Sequence, residues 1–302
     1  MLAPQDSGAS GLGLLGPSTL RASPLARGYG CRGLWMPGRD QYGVAVSTAG
    51  TVPTVLDLSG LAYHAQFYTN SGPATPTINA AGEAATFSGS QVVYGSGYDG
   101  LKPASDASGF VPATLVAVVR PTTDPADSRC IFQIHSTDSS GAARIGLFRG
   151  ASQSFVLDLT MDGVNFPKIT VTGLAANDIY GVVGTTRSKT DHQIVVCNLR
   201  TGDITSATGS TNAGTATINP SRVVFGAYMW GVSENNVAVP YTGDINLAAA
   251  LAFGATDEEM RALARAPFAL VEAEPFAPAI NSVVAVASMR GARIISSGYW
   301  AA

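Results

Sequence analysis

Ala113-Thr114-Leu115-Val116-Ala117-Val118-Val119-Arg120-Pro121 is an almost continuous apolar run stopped by a proline. A run of strand length with no polar alternation is the pattern of a strand buried on both faces. It predicts a layered β protein in which this segment lies at the centre of one sheet.

The sequence on either side keeps a regular beat. Upstream, Val52 to Leu58 and Ala62 to Tyr68 read as short strands about Ser59-Gly60, and Glu83 to Phe87 and Gln91 to Tyr94 as a pair across Ser88-Gly89. Downstream, Cys130 to His135, Ala143 to Phe148, Phe155 to Thr160, Lys168 to Thr172, Tyr180 to Thr186 and Gln193 to Asn198 alternate or run apolar. Arg222 to Ala227, Ala238 to Thr242 and Gly243 to Phe253 continue the series. Turn residues part them, among them Asp162-Gly163 and Thr201-Gly202-Asp203, where glycine takes positive φ without steric cost. Strands at a spacing of roughly ten residues with turn chemistry in each gap suit a meandering antiparallel sandwich.

The outermost signals are two bookends. Gly33-Leu34-Trp35 is followed by Val55-Leu56-Asp57-Leu58-Ser59-Gly60, and Tyr241-Thr242-Gly243-Asp244-Ile245 by Ala255-Thr256-Asp257-Glu258-Glu259-Met260-Arg261-Ala262-Leu263. Thr256 with Glu259 three residues on is a capping box, and the acidic first turn complements the positive helix end. The helix runs to about Ala266, where Pro267 stops it.

In this order the bookends resemble the concanavalin A-like, or laminin-G-like, β-sandwich family in its tailed-bacteriophage virion type. That family joins a Trp-bearing first strand to an Asp-Leu-Ser-Gly turn, and a late Gly-Asp-Ile strand to a short Asp-Glu-Glu helix. Ala266-Pro267-Phe268 and Pro275-Phe276-Ala277-Pro278 stand where its phage members carry a Trp-containing phrase and Phe-Ala-Pro, with Phe268 in place of the Trp. The resemblance implies an all-β fold: an antiparallel jelly-roll sandwich over residues 31–268 with one short C-terminal helix. Residues 1–30, rich in Gly, Ser, Pro and Ala, form an extended arm that gains order against a neighbouring subunit or by packing on its own domain. Residues 269–302 form a C-terminal extension with a β-hairpin from Ser282 to Ile295.

Bulk composition narrows the function. The 302 residues are 46% hydrophobic but only 13% charged, about half the usual charged share, so the surface either solvates itself through hydroxyls and backbone or is partly covered by partners. A net charge of −3 without Lys/Arg clusters excludes a nucleic-acid binder of the ordinary basic kind. Cys31, Cys130 and Cys197 show neither CxxC nor Cys-His spacing, and read as reduced apolar fillers. No run of 18 or so apolar residues spans a bilayer, and Met1 to Gly30 lacks the pattern of a secretory signal.

Chemistry-bearing motifs are sparse. Sandwich glycanases set acidic residues two apart on one strand, so that one carboxylate attacks while another protonates the leaving group. None of the six glutamates, Glu83, Glu234, Glu258, Glu259, Glu272 and Glu274, lies in such a pattern. His64, His135 and His192 have no metal-ligand spacing, and His192 reads as sitting at a turn. No catalytic residue and no cofactor are assigned. For Ca²⁺ at a sandwich rim the weak candidates are Asp57, Asp158, Asp162 and Asp244; the plainer roles are a turn-forming side chain for Asp57 and a polar residue on the open face of a strand for Asp244. Tyr94, Tyr98, Tyr228 and Trp230 are the aromatic candidates for a glycan or subunit contact.

These readings lead to a non-enzymatic structural protein of a bacteriophage virion: a capsid decoration or cement subunit, or one associated with tail or fibre. It would be made in the host cytoplasm, and its partners would be other virion proteins and copies of itself, a trimer being one arrangement. The alternative is a carbohydrate-binding module or adhesin that contacts host-surface glycans.

Overall fold

The computed structural model describes residues 20–37, 44–45, 54–69, 72–73, 77–78, 84–89, 91–96, 98, 112–136, 144–160, 165–214, 220–229, 237–238 and 240–273. The chain is an all-β antiparallel sandwich with one short helix near its C-terminal side.

The apolar run that opens the sequence reading is the Ala113–Pro121 strand, and it sits in the middle of the first sheet. The order there is Ile204–Gly209, Asp191–Asn198, Tyr180–Ser188, Ala113–Pro121, Thr242–Leu251, Ala85–Ser88 and Thr77–Ile78, with Cys31–Trp35 pairing the far half of Thr242–Leu251. The second sheet runs Lys168–Val171, Ser154–Thr160, Arg144–Gly150, Arg129–Ser136, Pro220–Phe225, Gln91–Ser96, Ala65–Thr69, Thr54–Val55 and Val44–Ala45.

Strand alternation sends one side chain in two from each sheet into a shared core. Leu115, Ala117, Val119, Val182, Val196 and Ile245 of the first sheet meet Ile134, Ile145, Leu147, Leu157, Leu159 and Phe225 of the second. The sheets pack tightly at Gly184, where an added Cβ would press on Leu147 and Leu157. Trp35 is fully buried, its ring against Phe225 at 5.2 Å and its indole N–H donated to the Tyr63 carbonyl at 2.9 Å.

The outer face of the first sheet is covered. Val116, Val118, Val183, Val195, Leu247 and Leu251 pack beneath Met260, Leu263 and Ala264 of the Asp257–Arg265 helix and beneath Ala22 and Ala26. This second apolar layer explains why the Ala113–Pro121 strand needs no polar alternation. The helix carries the expected capping box: Glu259 N–H donates to the Thr256 hydroxyl, and Thr256 N–H to the Glu259 carboxylate at 2.8 Å.

Three expectations are corrected. Residues 20–30 are not an extended arm: Leu20–Ala22 pairs with Val271–Ala273, Ser23 caps the Pro24–Gly28 helix, and Ala26 is buried. Short apolar side chains and a Ser-Pro helix start suffice here because the sandwich supplies the surface they cover. The strands flanking Ser88-Gly89 do not pair with each other; Ala85–Ser88 belongs to the first sheet and Gln91–Ser96 to the second, so the turn crosses between layers. His192 lies within the Asp191–Asn198 strand, buried, rather than at a turn. The expected hairpin from Ser282 to Ile295 lies outside the described residues.

Candidate functional site

The second sheet has no helix over its outer face among the described residues, and that face carries polar side chains, most of them buried, Gln133, Thr160, His135, Asp158 and Arg222 among them. Register fixes its rows. One runs Lys168, Asp158, Gly146, Gln133, Val224, Tyr94, Gln66; the next runs Thr160, Arg144, His135, Arg222, Ser96. Their neighbours one residue along each strand are the core-facing Ile134, Ile145, Leu157, Leu159 and Val223. The alternation that fills the core thus also sets cationic, amide and carboxylate groups on the other side. A small apolar patch, Cys130, Phe148 and Val156, borders them.

The best-defined part lies at the Lys168–Val171 edge. Arg144 Nη2 donates to both Asp158 carboxylate oxygens, at 3.1 and 3.2 Å, and Lys168 Nζ stands 3.7 Å from Asp158 Oδ2. The Arg144 guanidinium also lies over the Phe166 ring, 5.2 Å from its centroid, within the range of a cation–π contact. Phe166 is 44% exposed, one of three large hydrophobic side chains so open among the described residues. Its backbone is held: Leu159 N–H donates to the carbonyl of Pro167 at 3.2 Å, continuing the ladder that sets Lys168 opposite Asp158.

Exposure grades inward from this edge. The Lys168 side chain is 55% exposed, while those of Arg144 and Asp158 are 13% and 8% exposed. Deeper in the row, Gln133 is fully buried; its carbonyl oxygen faces the Cys130 thiol, and its amide nitrogen has no hydrogen-bond partner among the described residues. An open aromatic ring beside a carboxylate paired with a guanidinium and an ammonium offers an apolar platform with fixed donors and an acceptor at its rim. Such a mixture of a flat apolar surface and oriented polar groups suits a polyhydroxylated ligand.

The residues singled out from sequence fall elsewhere in large part. Tyr98 is a correction: it is 1% exposed, packed against Trp35 and Tyr63 in the core, and is no surface contact. Its ring is apolar bulk that the sandwich end needs filled. Tyr94 stands in register between Val224 and Gln66, in one of the rows just described. Tyr228 pairs with Ala238 in a separate two-stranded ribbon. Trp230 and Asp162 lie outside the described residues.

Among the described residues the acidic candidates Asp57, Asp158 and Asp244 each have protein partners of their own. Asp57 spends its oxygens on the backbone N–H groups of Leu34, Ser59 and Tyr63 and on the Ser59 hydroxyl. Asp158 is held as above. Asp244, expected on an open face, is buried and paired with Arg120 at 2.7 Å and the Thr86 hydroxyl at 2.7 Å. Among the described residues no three His, Cys, Asp or Glu side chains gather to hold a metal.

Phe166, Arg144, Gln133 and Arg222 were missed in the sequence. Their signal is the period of two: Arg144-x-Gly146-x-Phe148 and Gln133-x-His135 alternate against apolar neighbours, which marks a face but not what stands opposite it.

Neither a family model nor a curated protein matches the chain. Several solved structures are similar in part. The CBM40 module of the Ruminococcus gnavus IT-sialidase, bound to alpha2,3 sialyllactose, is 13% identical with a TM-score of 0.41, covering 52% of this chain and 84% of that one. The binding domain of botulinum neurotoxin DC in complex with SialylT is 12% identical at 0.48, covering 78% and 51%. The enzymatically active domain of bacteriophage CBA120 tailspike protein 2 is 16% identical at 0.46, covering 69% and 31%. Each is a partial likeness of backbone, and no side-chain role passes from any of them to this chain.

Proposed function

We infer that the protein is a non-enzymatic carbohydrate-binding sandwich that holds a glycan at the Lys168–Val171 edge of its second sheet. The observation that carries this reading is Phe166: an exposed ring, backed by Arg144, beside the Arg144–Asp158–Lys168 group. A sugar ring lays its C–H face on Phe166 and meets donors and an acceptor with its hydroxyls. Hydrolysis by paired carboxylates needs two acids about 5 to 9 Å apart across the bond; Asp158 is the one carboxylate in the two rows described, and it is held by Arg144 and Lys168.

The test is calorimetric titration with a panel of oligosaccharides against the wild-type chain and Phe166→Ala. The expected result is saturable binding that the variant weakens tenfold or more, the equivalent of about 1.4 kcal/mol, with an unchanged melting temperature. Binding unaffected by Phe166→Ala, or no binding by any glycan, overturns the reading.

A second reading is favoured by the low charged share of 13%, which suits a chain partly covered in an assembly. In it the sandwich is a bacteriophage virion component of the laminin-G-like type, on head or tail, and the glycan face points outward. Co-sedimentation with capsid or tail proteins would separate it from a free-standing module.

A further inference from the structure

We propose that the Ile204–Gly209 strand is a docking edge, at which two copies of this chain pair antiparallel about a two-fold axis and join their first sheets into one.

Ile204–Gly209 ends the first sheet, with Asp191–Asn198 on one side and no strand on the other among the described residues. Register tells which of its backbone groups are spent. Asn198 N–H donates to the Asp203 carbonyl at 2.9 Å, so the residues bonded to Asp191–Asn198 alternate from Asp203 through Thr205, Ala207 and Gly209. The N–H and C=O groups of Ile204, Ser206 and Thr208 therefore point away from the sheet. Ser206 and Thr208 are exposed. The strand itself is anchored from both faces: Ala207 packs on the core between the sheets, and Ile204 on the apolar layer over the first one.

The other strands that end a sheet carry the usual protections against pairing. Thr77–Ile78 and Val44–Ala45 are two residues long, and Lys168–Val171 has four and begins with a lysine. Cys31–Trp35 has a shift in register, and the Asp57-Leu58 turn takes both the N–H and the C=O of Leu34. Ile204–Gly209 has none of these devices. It is six residues long, in unbroken register, with neither a proline nor a charge. No Asp, Glu, Lys or Arg occurs from Ile204 to Ser221.

A second copy is the occupant these features fit. A two-fold axis makes a strand its own antiparallel partner, and antiparallel is the pairing already used throughout the first sheet. The register that uses all the outward groups sets Ser206 opposite its own copy and Ile204 opposite Thr208. Small hydroxyl side chains then face one another, a pairing that hydrogen-bonds across strands, and no like charges meet. A charged peptide would find nothing on this strand to pair with.

Sedimentation equilibrium of the whole chain over about a hundredfold range of concentration tests this, alongside Ser206→Lys and Ser206→Glu. The expected result is a wild-type dimer whose share rises with concentration. Each variant sets like charges opposite one another across the axis and should weaken the dimer at least tenfold. The melting temperature of the dilute chain should not change, because the Ser206 side chain is exposed. Mixing the two variants should restore a dimer with one copy of each. A wild-type chain that is monomeric throughout or trimeric, or a dimer that both variants leave intact, overturns the proposal. So does a mixture no more dimeric than its components.

Discussion

Asp57 and Leu34 are 23 residues apart in sequence, and Asp57 Oδ1 accepts the Leu34 backbone N–H at 3.0 Å. The same carboxylate closes its own turn through Ser59 N–H at 2.9 Å and receives Tyr63 N–H at 3.1 Å. One side chain thus ties the strand bearing Trp35 to the turn that follows Asp57. Nothing apolar can replace it, because the Leu34 N–H is buried.

Asp57→Ala should therefore cost about 3 kcal/mol, since each buried donor left without an acceptor costs about 1 to 3 kcal/mol. Asp57→Asn keeps one accepting oxygen and should cost about half as much. Urea melts of the two variants check this; an alanine variant as stable as the parent would show that water replaces the carboxylate freely.

His192 gives the fold an acid limit. It is buried, with Nε2 at 3.0 and 3.1 Å from the carbonyls of Lys189 and Thr211 and Nδ1 at 3.0 Å from the Thr186 hydroxyl. Nε2 carries the proton, as both its partners can only accept. Burial pushes its pKa below the ordinary 6.5, against the pull of those carbonyls and of Asp191. The unfolded chain then takes up a proton near 6.5 that the folded chain refuses. Stability from this group is complete above that pH and falls as pH drops below it, by at most about 1.4 kcal/mol per pH unit, until the folded histidine titrates as well. Denaturant melts between pH 8 and 5 should show the decline, and His192→Gln should flatten it. A parent whose stability does not change below pH 6.5 would refute the assignment.

The three thiols should be silent in the folded protein. Burial raises the pKa of Cys31 to about 12, that of Cys130 well above the usual thiol range, and that of Cys197 to a lesser degree. Since the thiolate is the reacting species, a disulfide-exchange reagent at pH 8 should label the native chain slowly and all three cysteines at once after denaturation. Rapid native labelling of any one of them would contradict its placement.

How far the sequence could be read depended on the range of the interaction. The Asp257–Arg265 helix announces itself through Thr256 and Glu259, three residues apart, and the structure makes both bonds. The Ala113–Pro121 strand was legible to its ends because burial on both faces leaves an unbroken apolar run. The Ile204–Gly209 strand was not, because an edge strand of half-exposed Thr, Ser and Ala has little apolar contrast. Ser88-Gly89 looked like any hairpin turn; whether such a turn pairs its flanks or sends them to opposite layers is decided by Thr242–Leu251, more than 150 residues on, which captures Ala85–Ser88. The candidate face fails for the same reason. Arg144, Asp158 and Lys168 are each ordinary strand residues until register sets them side by side, and Phe166 reads as loop until Arg144 lies over it.

That cluster also makes an asymmetric prediction about stability. Asp158 serves two cations, Arg144 at 3.1 Å and Lys168 at 3.7 Å, whereas Lys168 stands mostly in water. Asp158→Asn takes the carboxylate from a guanidinium that is only 13% exposed, and removing one partner of a largely buried pair costs about 3 to 5 kcal/mol. Access to solvent at this edge puts the expected loss at the lower end, about 3 kcal/mol. Arg144→Met should cost less, because Lys168 still neutralises Asp158 and the methionine can keep contact with the Phe166 ring. The double variant Arg144→Met/Asp158→Asn should lose less than the sum of the two single changes, since both remove the same pair. A double-mutant cycle from urea melts measures the coupling. If Asp158→Asn lies within about 0.5 kcal/mol of the parent, the range of an ordinary surface change, then the pair is solvated and the graded face from Lys168 inward is misdrawn.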